Sequence, residues 1–346
     1  GWPRPKSKKR STPAFALYNL APAGADPWRV IDGAHRVRLP SLGSVRVHEN
    51  TRRLRRLIRR GGRPTSAHLT RQADRWYVAI NVAVPAGAVA APVTSRAQQA
   101  AGVVGVDLGV NKLAALSTGK LIPNPSWAKA GQRKLARLQR AAARRRGPDS
   151  LEGPSHRWQA THQAIARHHQ RVAARRRGHL HQLTKTLATQ WATVAVEDLN
   201  VRGMTAAPLA VPDPDRPGSY LANGAAAKSG LNRAILDVGF GEFRRQLAYK
   251  TDWYGARLIA VARYAPTSKT CSACGAVKAK LSLAERTYRC DECGLVIDRD
   301  LNAARNIRDL ANQLAAASPP DGGDEKRRAT RPAPTAVAVG FDPQDP

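Results

Sequence analysis

The sequence predicts a mixed α/β protein, and three observations support this fold class. Apolar, β-branched runs that are typical of buried strands occur at 102–109, 192–196 and 257–261. A long stretch of helical composition, 127–190, separates the first of these runs from the second. The four cysteines form two close pairs, which is typical of a small metal-bound module, and they are too few for a disulfide scaffold.

The first hundred residues are predicted to form a small antiparallel β-domain with basic loops. Apolar and β-branched runs at 37–39, 45–47 and 76–84 are typical of short strands. The segment 52–63, which lies between two of these runs, contains seven arginines and no acidic residue. Residues 85–101 are rich in Ala, Pro, Gly and Gln, a composition that indicates a linker to the next unit.

The second part of the chain alternates strands and helices. The strand over 102–109 is expected to pair with a hairpin partner at 113–117. Helices are expected over 127–146 and 157–190, with mostly Ala and Leu at their apolar positions, and the strand at 192–196 follows them. This alternation favours an α/β core.

Beyond residue 200 the sequence predicts a long loop, two helices and a tail. Residues 205–230 are rich in Pro, Gly and Ala, and a loop of this length is either functional or disordered. One helix is expected over 231–254, and a second, over 300–315, follows the cysteines. Residues 316–346 carry Pro, Gly and mixed charge and are predicted to be a disordered tail.

The charge of the chain indicates a polyanionic partner. The 346 residues include 57 Lys and Arg against 25 Asp and Glu, which gives a net charge of +32. Self-repulsion of this size disfavours a compact chain unless a polyanion neutralises it, so nucleic acid is favoured and an ordinary metabolic enzyme is unexpected. An anionic membrane surface is the main competitor, but the sequence shows no apolar run of about 18 residues and no signal peptide.

The cysteine spacing predicts a structural zinc site. Cys271 and Cys274 form one Cys-x2-Cys pair, and Cys290 and Cys293 form a second. Each pair supplies one edge of a tetrahedral site, and four thiolates leave no open position for a substrate. We therefore expect one structural zinc ion; the alternative is four unliganded thiols or two strained disulfides.

Three acidic residues stand where strands end or a helix begins. Asp107 closes the strand at 102–109, Glu197 follows the strand at 192–196, and Asp300 opens the last helix. Taken singly, they are explained by a turn, a solvated loop and an N-cap. Taken together in a chain with few acids, three convergent carboxylates are suited to a pair of Mg²⁺ ions that hydrolyse a phosphodiester.

Arginine clusters are expected to contact the nucleic-acid backbone. The alternative interpretation is that they form solvated helix faces, but the net charge of +32 makes this harder to hold for all of them. The candidate residues are Arg52, Arg53, Arg55, Arg56, Arg59, Arg60, Arg144, Arg145, Arg146, Arg175, Arg176 and Arg177.

Four segments carry a family resemblance. They are Gly-Val-Asp-Leu-Gly-Val-Asn-Lys at 105–112, Val-Glu-Asp-Leu-Asn-Val-Arg-Gly-Met at 196–204, Ser-Lys-Thr-Cys-Ser-Ala-Cys-Gly at 268–275 and Asp-Arg-Asp-Leu-Asn-Ala-Ala-Arg-Asn at 298–306. In this order they resemble the TnpB-type (OrfB) proteins of insertion sequences, which are transposon-encoded RNA-guided nucleases related to type V CRISPR effectors. The resemblance extends over residues 1–313.

The resemblance implies a RuvC-like (RNase H-type) nuclease core with an inserted zinc ribbon, preceded by a small β-rich, wedge-like domain. It implies that Asp107, Glu197 and Asp300 form the catalytic triad and bind Mg²⁺. The domains expected on this basis are a partial wedge-like domain at 1–100, the core at 101–265 with inserted helices at 127–190 and the loop at 205–230, the zinc ribbon at 266–297, the last core helix at 298–315 and the tail at 316–346.

The resemblance also predicts a truncation at the N-terminus. Family members carry a first wedge strand and a helical recognition region before the segment that resembles residues 1–6 here. This sequence begins with Gly1, and its only methionine is Met204, so it does not begin at an ordinary translation start. We therefore expect the helical recognition region to be absent.

The implied function is that of an RNA-guided, Mg²⁺-dependent DNA endonuclease of an insertion sequence. Its partners would be a transposon-derived guide RNA and double-stranded target DNA, with no small-molecule substrate or membrane partner, in the cytoplasm and associated with the nucleoid. One alternative is a catalytically inactive or degenerate RNA- and DNA-binding relic that lacks the recognition region. Another is a strand-joining recombinase, for which the sequence offers no nucleophilic Tyr or Ser constellation.

Overall fold

The computed structural model describes most of the chain and divides it into two compact units. The described residues are 13–85, 92–216, 218–282, 284–317 and, for the backbone alone, 336–341. The first unit comprises residues 1–91, 135–171 and 322–346, and the second comprises residues 92–134 and 172–321.

The elements are numbered in chain order. The strands are β1 Ala14–Tyr18, β2 Arg36–Leu39, β3 Gly43–Arg46, β4 Arg63–Gln72, β5 Arg75–Ala83, β6 Val103–Leu108, β7 Lys112–Leu116, β8 Leu121–Pro123, β9 Thr193–Glu197, β10 Arg257–Val261, β11 Thr287–Arg289, β12 Val296–Asp298 and β13 Ala336–Phe341. The helices are α1 Arg52–Arg59, α2 Arg96–Ala101, α3 Trp127–Ala143, α4 His156–Gln190, α5 Val201–Met204, α6 Ala225–Val238, α7 Phe240–Tyr254 and α8 Arg299–Ala317, with a short 3-10 helix at Pro27–Val30.

The first unit is built on an antiparallel sheet in the order β1-β4-β5-β13, beside the separate hairpin of β2 and β3. Apolar side chains of the sheet, the hairpin and α1 form its core, including Leu39, Leu54, Leu69 and Ile80. The sequence predicts β2, β3 and β5 but not β1 or β4. Strand β4 is concealed because Pro64, together with polar residues, interrupts its apolar pattern.

Helix α1 corrects the expectation of a basic loop between the strands. Its apolar residues Leu54, Leu57 and Ile58 recur at helical spacing and are buried, while four of the five arginines of the helix are exposed. This amphipathic pattern is sufficient to pack one face of a helix onto the core.

Strand β13 differs from the predicted disordered tail. Its backbone pairs antiparallel with β5, from Ala336 opposite Asn81 to Phe341 opposite Trp76. An Ala-Val-Ala-Val run can add to a sheet edge because the edge strand has unpaired backbone groups. Helix α8 extends to Ala317, and the rest of the tail lies outside the described residues.

The second unit is built on a five-stranded mixed sheet in the order β10-β9-β6-β7-β8. Strand β9 is parallel to both β6 and β10, whereas β6, β7 and β8 are antiparallel neighbours. Val104, Val106 and Val196 pack with side chains of α4, α6 and α7, and Ala195 packs with α8. Because alternate residues of a strand face opposite sides, helices cover both faces of this sheet.

Strands β6, β7, β9 and β10 and helices α3, α4 and α8 agree with the sequence prediction, whereas the sequence does not predict β8, β11, β12, α5 or the helix α2 inside the expected linker. The helix expected over 231–254 is corrected. The structure has two helices there, α6 and α7, separated at Gly239. Gly239 has a φ of 79°, a left-handed conformation that ends α6. Helix α6 begins at Ala225, inside the loop predicted over 205–230, and Leu221 N donates to Val211 O across a turn in that loop.

None of the helices in the described part of the chain combines the length and the apolar composition needed to cross a bilayer.

Candidate functional site

Asp107 lies near the end of β6 in an unusual electrostatic environment. Burial, together with the negative charges of Glu197 and Asp300, raises the pKa of its carboxyl to about 8. Arg299 acts in the opposite direction. The structure therefore brings Glu197 and Asp300, the other two acids selected from the sequence, within electrostatic reach of Asp107.

The sheet explains why Asp107 and Glu197 meet. Strands β6 and β9 run parallel, with Val106 opposite Val196, so the next residue of each strand lies at the same edge of the sheet. Helix α8, which carries Asp300, approaches β6 at Gly105. A Cβ on Gly105 would lie 2.0 Å from the Ala304 carbonyl oxygen, so only glycine permits this approach.

Asp300 does not act as the cap of α8. The carboxylate of Asp298 accepts hydrogen bonds from the backbone N–H groups of Asp300 and Leu301, at 3.1 and 3.2 Å. Lys112 Nζ donates to the other oxygen of Asp298 at 2.6 Å. Because Asp298 serves the helix terminus, the N-cap interpretation of Asp300 is wrong and its side chain is available for another role.

Glu197 and its neighbour Asp198 have different partners. Thr267 Oγ1 donates to Glu197 Oε1 at 2.5 Å. Asp198 instead forms ion pairs with Arg244 and Arg263, and the hydrogen bond from Arg244 lowers the pKa of its carboxyl. Asp198 is thus neutralised by protein groups, whereas Glu197 is held by a neutral hydroxyl and keeps its capacity to bind a cation.

The four cysteines form a cluster that fits a zinc ion. Their sulfur atoms all lie within 4.8 Å of one another, and Cys271 Sγ to Cys293 Sγ and Cys274 Sγ to Cys290 Sγ both measure 3.6 Å. A tetrahedral site with Zn–S bonds of about 2.3 Å requires sulfur atoms about 3.7 Å apart. The prediction that these cysteines can bind one zinc ion agrees with this geometry.

The backbone around the cysteines adopts the expected knuckles. Gly275 and Gly294 have φ values of 79° and 72°, and the N–H of Gly275 donates to the Cys271 carbonyl at 3.0 Å. Burial opposes ionisation of Cys271, but the backbone N–H groups of Cys274 and Ala273 donate to its sulfur and hold the pKa at about 7, below the usual value of a thiol. A thiolate at neutral pH is the form that zinc requires.

The three carboxylates are more widely spaced than the thiols. Within the described residues, the cysteines form a set of at least three ligand atoms inside 4.8 Å, and Asp107, Glu197 and Asp300 do not form such a set. Carboxylates that flank a pair of ions about 3.5–4 Å apart need not converge on a single point. Carboxylate oxygens are the ligands that Mg²⁺ and Ca²⁺ prefer in proteins.

The predicted arginines divide into exposed residues and residues with partners inside the protein. Arg55 and Arg176 are only partly exposed, and the other ten are exposed. Arg176 donates to the Leu236 carbonyl at 3.2 Å and pairs with the buried Asp237, which indicates a structural role. Further contacts of these arginines include those of Arg55 with Asn50, Arg145 with Arg157 O and Thr161, Arg146 with Glu152, and Arg175 with the ring of Trp127.

Sequence reasoning missed Lys112, Thr267 and Asp298 as neighbours of the acidic site. Lys112 and Asp298 lie in two of the segments that carry the family resemblance, and Thr267 directly precedes a third. Their positions in or beside these segments are the signal that could have identified them. Their contacts join residues distant in the chain, so spacing alone does not reveal them.

Comparison with known proteins identifies two family matches. A model described as "Probable transposase" matches residues 83–207, and one described as "Cas12f1-like, TNB domain" matches residues 240–307.

Several relatives share extended sequence similarity with the chain. A "Putative RNA-guided DNA endonuclease" of Streptomyces pristinaespiralis is 37% identical over 80% of this chain and 60% of its own length. "Putative RNA-guided DNA endonuclease InsQ" of Escherichia coli is 35% identical over 79% of this chain and 61% of its own length. The chain thus spans about three fifths of these two relatives. It covers 72% of a Mycobacterium tuberculosis protein with the same type of name, at 31% identity.

Two solved structures resemble this chain less than the relatives found by sequence do. A Cas12f1–sgRNA–target DNA complex matches 71% of this chain and 56% of its own chain, with 16% identity and a TM-score of 0.41. A CRISPR–Cas12f ternary complex matches 79% of this chain and 51% of its own, with 16% identity and a TM-score of 0.40. These scores are too low to establish a shared fold.

Proposed function

Because the chain belongs to the TnpB (OrfB) family of transposon proteins, we propose that it is an RNA-guided, Mg²⁺-dependent DNA endonuclease of an insertion sequence. One observation carries the proposal: Asp107 and Glu197 lie at the same edge of the sheet on neighbouring parallel strands, and the helix that carries Asp300 packs against the first strand at Gly105, so three acids meet in a strongly basic chain. Such a cluster is unfavourable without cations, which makes it a poor structural device.

In this proposal, Asp107, Glu197 and Asp300 hold divalent ions at the edge of a RuvC-like core. Bound divalent ions would supply an activated water and stabilise the leaving oxygen of the phosphodiester. Asp107 has to lose its proton before it can act as a ligand. Asp298 and Lys112 hold the first turn of α8 and thereby the backbone of Asp300.

The zinc ribbon is proposed to span residues 266–297, with Cys271, Cys274, Cys290 and Cys293 as ligands. The core would comprise residues 101–265 and 298–315, and the residues before 101 would form a wedge-like domain. Support comes from the mixed five-stranded sheet with helices on both faces and the three acids at one edge. Zinc would act structurally, since four thiolates complete its coordination.

The basic surfaces are proposed to bind guide RNA and target DNA through their phosphates. The candidates are the exposed arginines; Arg176 is left out because it binds groups inside the protein. Helix α1 presents several of the candidates on one face. Arginine binds phosphate through two parallel N–H donors. Sequence specificity would come from base pairing between guide and target, since the protein contacts mainly backbone.

The proposal is tested by cleavage of double-stranded DNA with the purified chain and its guide RNA. Asp107→Ala, Glu197→Ala and Asp300→Ala should each reduce Mg²⁺-dependent cleavage by more than about 100-fold, because each removes a ligand of the ions. RNA binding should be unchanged. Asp309→Asn is the matched control, because Asp309 is a partly exposed acid on the same helix, paired with its neighbour Arg308.

A second candidate function is nucleic-acid binding without cleavage. The charge of +32 favours it equally, since phosphate binding requires no acidic cluster. Mg²⁺-dependent nicking of DNA that Asp107→Ala abolishes would exclude this candidate. A folded, RNA-bound wild-type chain that cuts no DNA with Mg²⁺ or Mn²⁺ would instead exclude the endonuclease.

A further inference from the structure

The loop between β10 and the first cysteine pair is tied to the acidic site by side chains that the proposed mechanism leaves unused. We infer that Thr267 is a positioning residue for Glu197, and that Asn302 and Asn306 of α8 hold Thr267 in place. This inference rests on the proposed function. By this inference, the segment that leads into the zinc ribbon also orients a ligand of the divalent ions.

Thr267 is the described side chain that restrains Glu197. It is 5% exposed, and its hydroxyl donates to Glu197 Oε1 from a position 70 residues further along the chain. A carboxylate that accepts one fixed hydrogen bond keeps its remaining lone pairs for a cation, in a set orientation. Partners of this kind fix the direction and the basicity of metal ligands in proteins.

Thr267 is in turn fixed by α8. Asn306 Nδ2 donates to the carbonyl oxygens of Thr267 and Thr270, both at 2.7 Å. Asn302 Nδ2 donates to the Thr270 carbonyl at 2.7 Å, and the N–H of Ser272 donates to Asn302 Oδ1 at 2.9 Å. The two asparagines thus bind the loop from Thr267 to the residue beside Cys271.

The asparagines share one face of the helix that carries Asp300. They are four residues apart, which places them one above the other, and both are buried. Asparagine is a moderate helix former, and a buried amide is costly unless its hydrogen bonds are made. Here the bonds go to the loop, so the helix with Asp300, the loop with Thr267 and the carboxylate of Glu197 form one connected network.

The inference is tested by measuring divalent-ion binding directly. Mn²⁺ is titrated calorimetrically into the zinc-loaded full chain for wild type, Thr267→Val and Thr267→Ser. We expect Thr267→Val to weaken Mn²⁺ binding by about 10-fold, as is typical when a group that orients a metal ligand is removed. Thr267→Ser should stay within about 2-fold of wild type, because it keeps the donor.

The matched control is Thr251→Val. Thr251 is as buried as Thr267 and its hydroxyl donates to the Leu247 carbonyl at 3.0 Å, away from the acids. Its Mn²⁺ affinity should equal that of wild type. If Thr267→Val fails to fold, Thr267→Ala is compared with Thr267→Ser in the same titration.

A cleavage assay separates positioning from general destabilisation. Thr267→Val should raise the Mg²⁺ concentration for half-maximal cleavage by the same factor of about 10, with a near-normal rate at saturating Mg²⁺. A rate that falls equally at all Mg²⁺ concentrations would overturn the inference. So would a Thr267→Ser variant as weak as Thr267→Val.

The titration also distinguishes failure of this inference from failure of the proposed function. If wild type binds Mn²⁺, Asp107→Ala does not, and Thr267→Val binds as wild type does, the inference alone is overturned. If the wild-type chain binds no Mn²⁺, both are overturned.

Discussion

Asp107 shows how a single side chain can oppose the stability of the unit that contains it. Its carboxyl is buried beside two other acids, and these surroundings raise its pKa to about 8. Near neutral pH the folded chain without divalent ions therefore retains a proton there. Ion binding and proton release at Asp107 are then coupled, because a ligand carboxylate must be ionised.

Stability without divalent ions should fall as the pH rises. Between the ordinary pKa of 3.8 and about 8, the folded chain keeps a proton on Asp107 that the unfolded chain has lost. Linkage then requires the free energy of unfolding to decrease through this window. Asp107→Asn should remove this decrease and be more stable than wild type at pH 8 by as much as about 5 kcal/mol, since the pKa rises by about four units and each unit is worth about 1.4 kcal/mol.

The measurement is denaturant unfolding of zinc-loaded protein in buffer free of other divalent ions, from pH 4 to 9. Glu242 makes a contribution of opposite sign that stays nearly constant over this pH range. Hydrogen bonds from Arg245 lower its pKa to about 2, so its contribution is present above 4.5 and is lost only as the pH falls toward 2. Equal pH profiles for wild type and Asp107→Asn would contradict the account of Asp107.

Among the secondary-structure elements, α8 is constrained by its neighbours at several points. It carries Asp300 in its first turn, bonds the loop at Thr267 and packs against β6 at Gly105. The Cβ of any other residue at 105 would meet the backbone of α8 at Ala304 O and Arg308 N. A glycine in the middle of a strand is otherwise unfavourable, so this close approach explains its presence.

Gly105→Ala should separate α8 from the sheet. We expect a loss of about 3 kcal/mol in the free energy of unfolding, because overpacking against backbone cannot be relieved by a rotamer change. Gly230→Ala in α6 is the control: its Cβ would meet nothing within 4 Å, and alanine is the better helix former. Denaturant unfolding measures both, and a Gly105→Ala variant as stable as wild type would contradict this packing.

Helix α1 presents exposed arginines for the proposed phosphate binding. Arg56 and Arg59 are exposed, while the leucines beside them anchor the helix in the core. Arg56→Gln with Arg59→Gln should reduce the slope of log affinity against log salt for RNA by about 1.4, since each phosphate contact contributes about 0.7 on a single strand.

The control for α1 is Arg245→Gln, because Arg245 is engaged with Glu242 through two hydrogen bonds. Its slope should equal that of wild type. Filter binding or fluorescence anisotropy from 50 to 200 mM salt, concentrations over which such contacts weaken measurably, provides the slopes. If the α1 double variant keeps the wild-type slope, the helix does not bind RNA through these two residues.

For the molecule as a whole, we expect the arrangement of the acidic site to depend on bound zinc. Native mass spectrometry should find one zinc ion per chain, and Cys290→Ser should lose it, because Cys290 is one of the four converging thiols. Loss of zinc should also weaken Mn²⁺ binding, since the loop from Thr267 leads directly to Cys271. A zinc-free chain with wild-type Mn²⁺ affinity would contradict this coupling.

The parts of the protein that depend on local spacing are readable from the sequence. The two Cys-x2-Cys pairs, the strands around Asp107 and Glu197 and the long helices α3 and α4 follow from short-range periodicity. Their side chains interact mainly with neighbours along the chain, or obey a period of two or 3.6 residues. The family resemblance added the expectation that the three acids act together.

Other features exist only after distant segments have packed. The capping of α8 by Asp298, the partly buried ion pair of Arg176 with Asp237, and the hydrogen bond from Thr267 to Glu197 leave no periodic trace in the sequence. Whether an arginine faces solvent or a buried acid depends on which element lies opposite it. The sequence therefore contains the residues of the site, while their partners and protonation depend on how the sheet and α8 come together, because burial and charge–charge distances arise only in the packed unit.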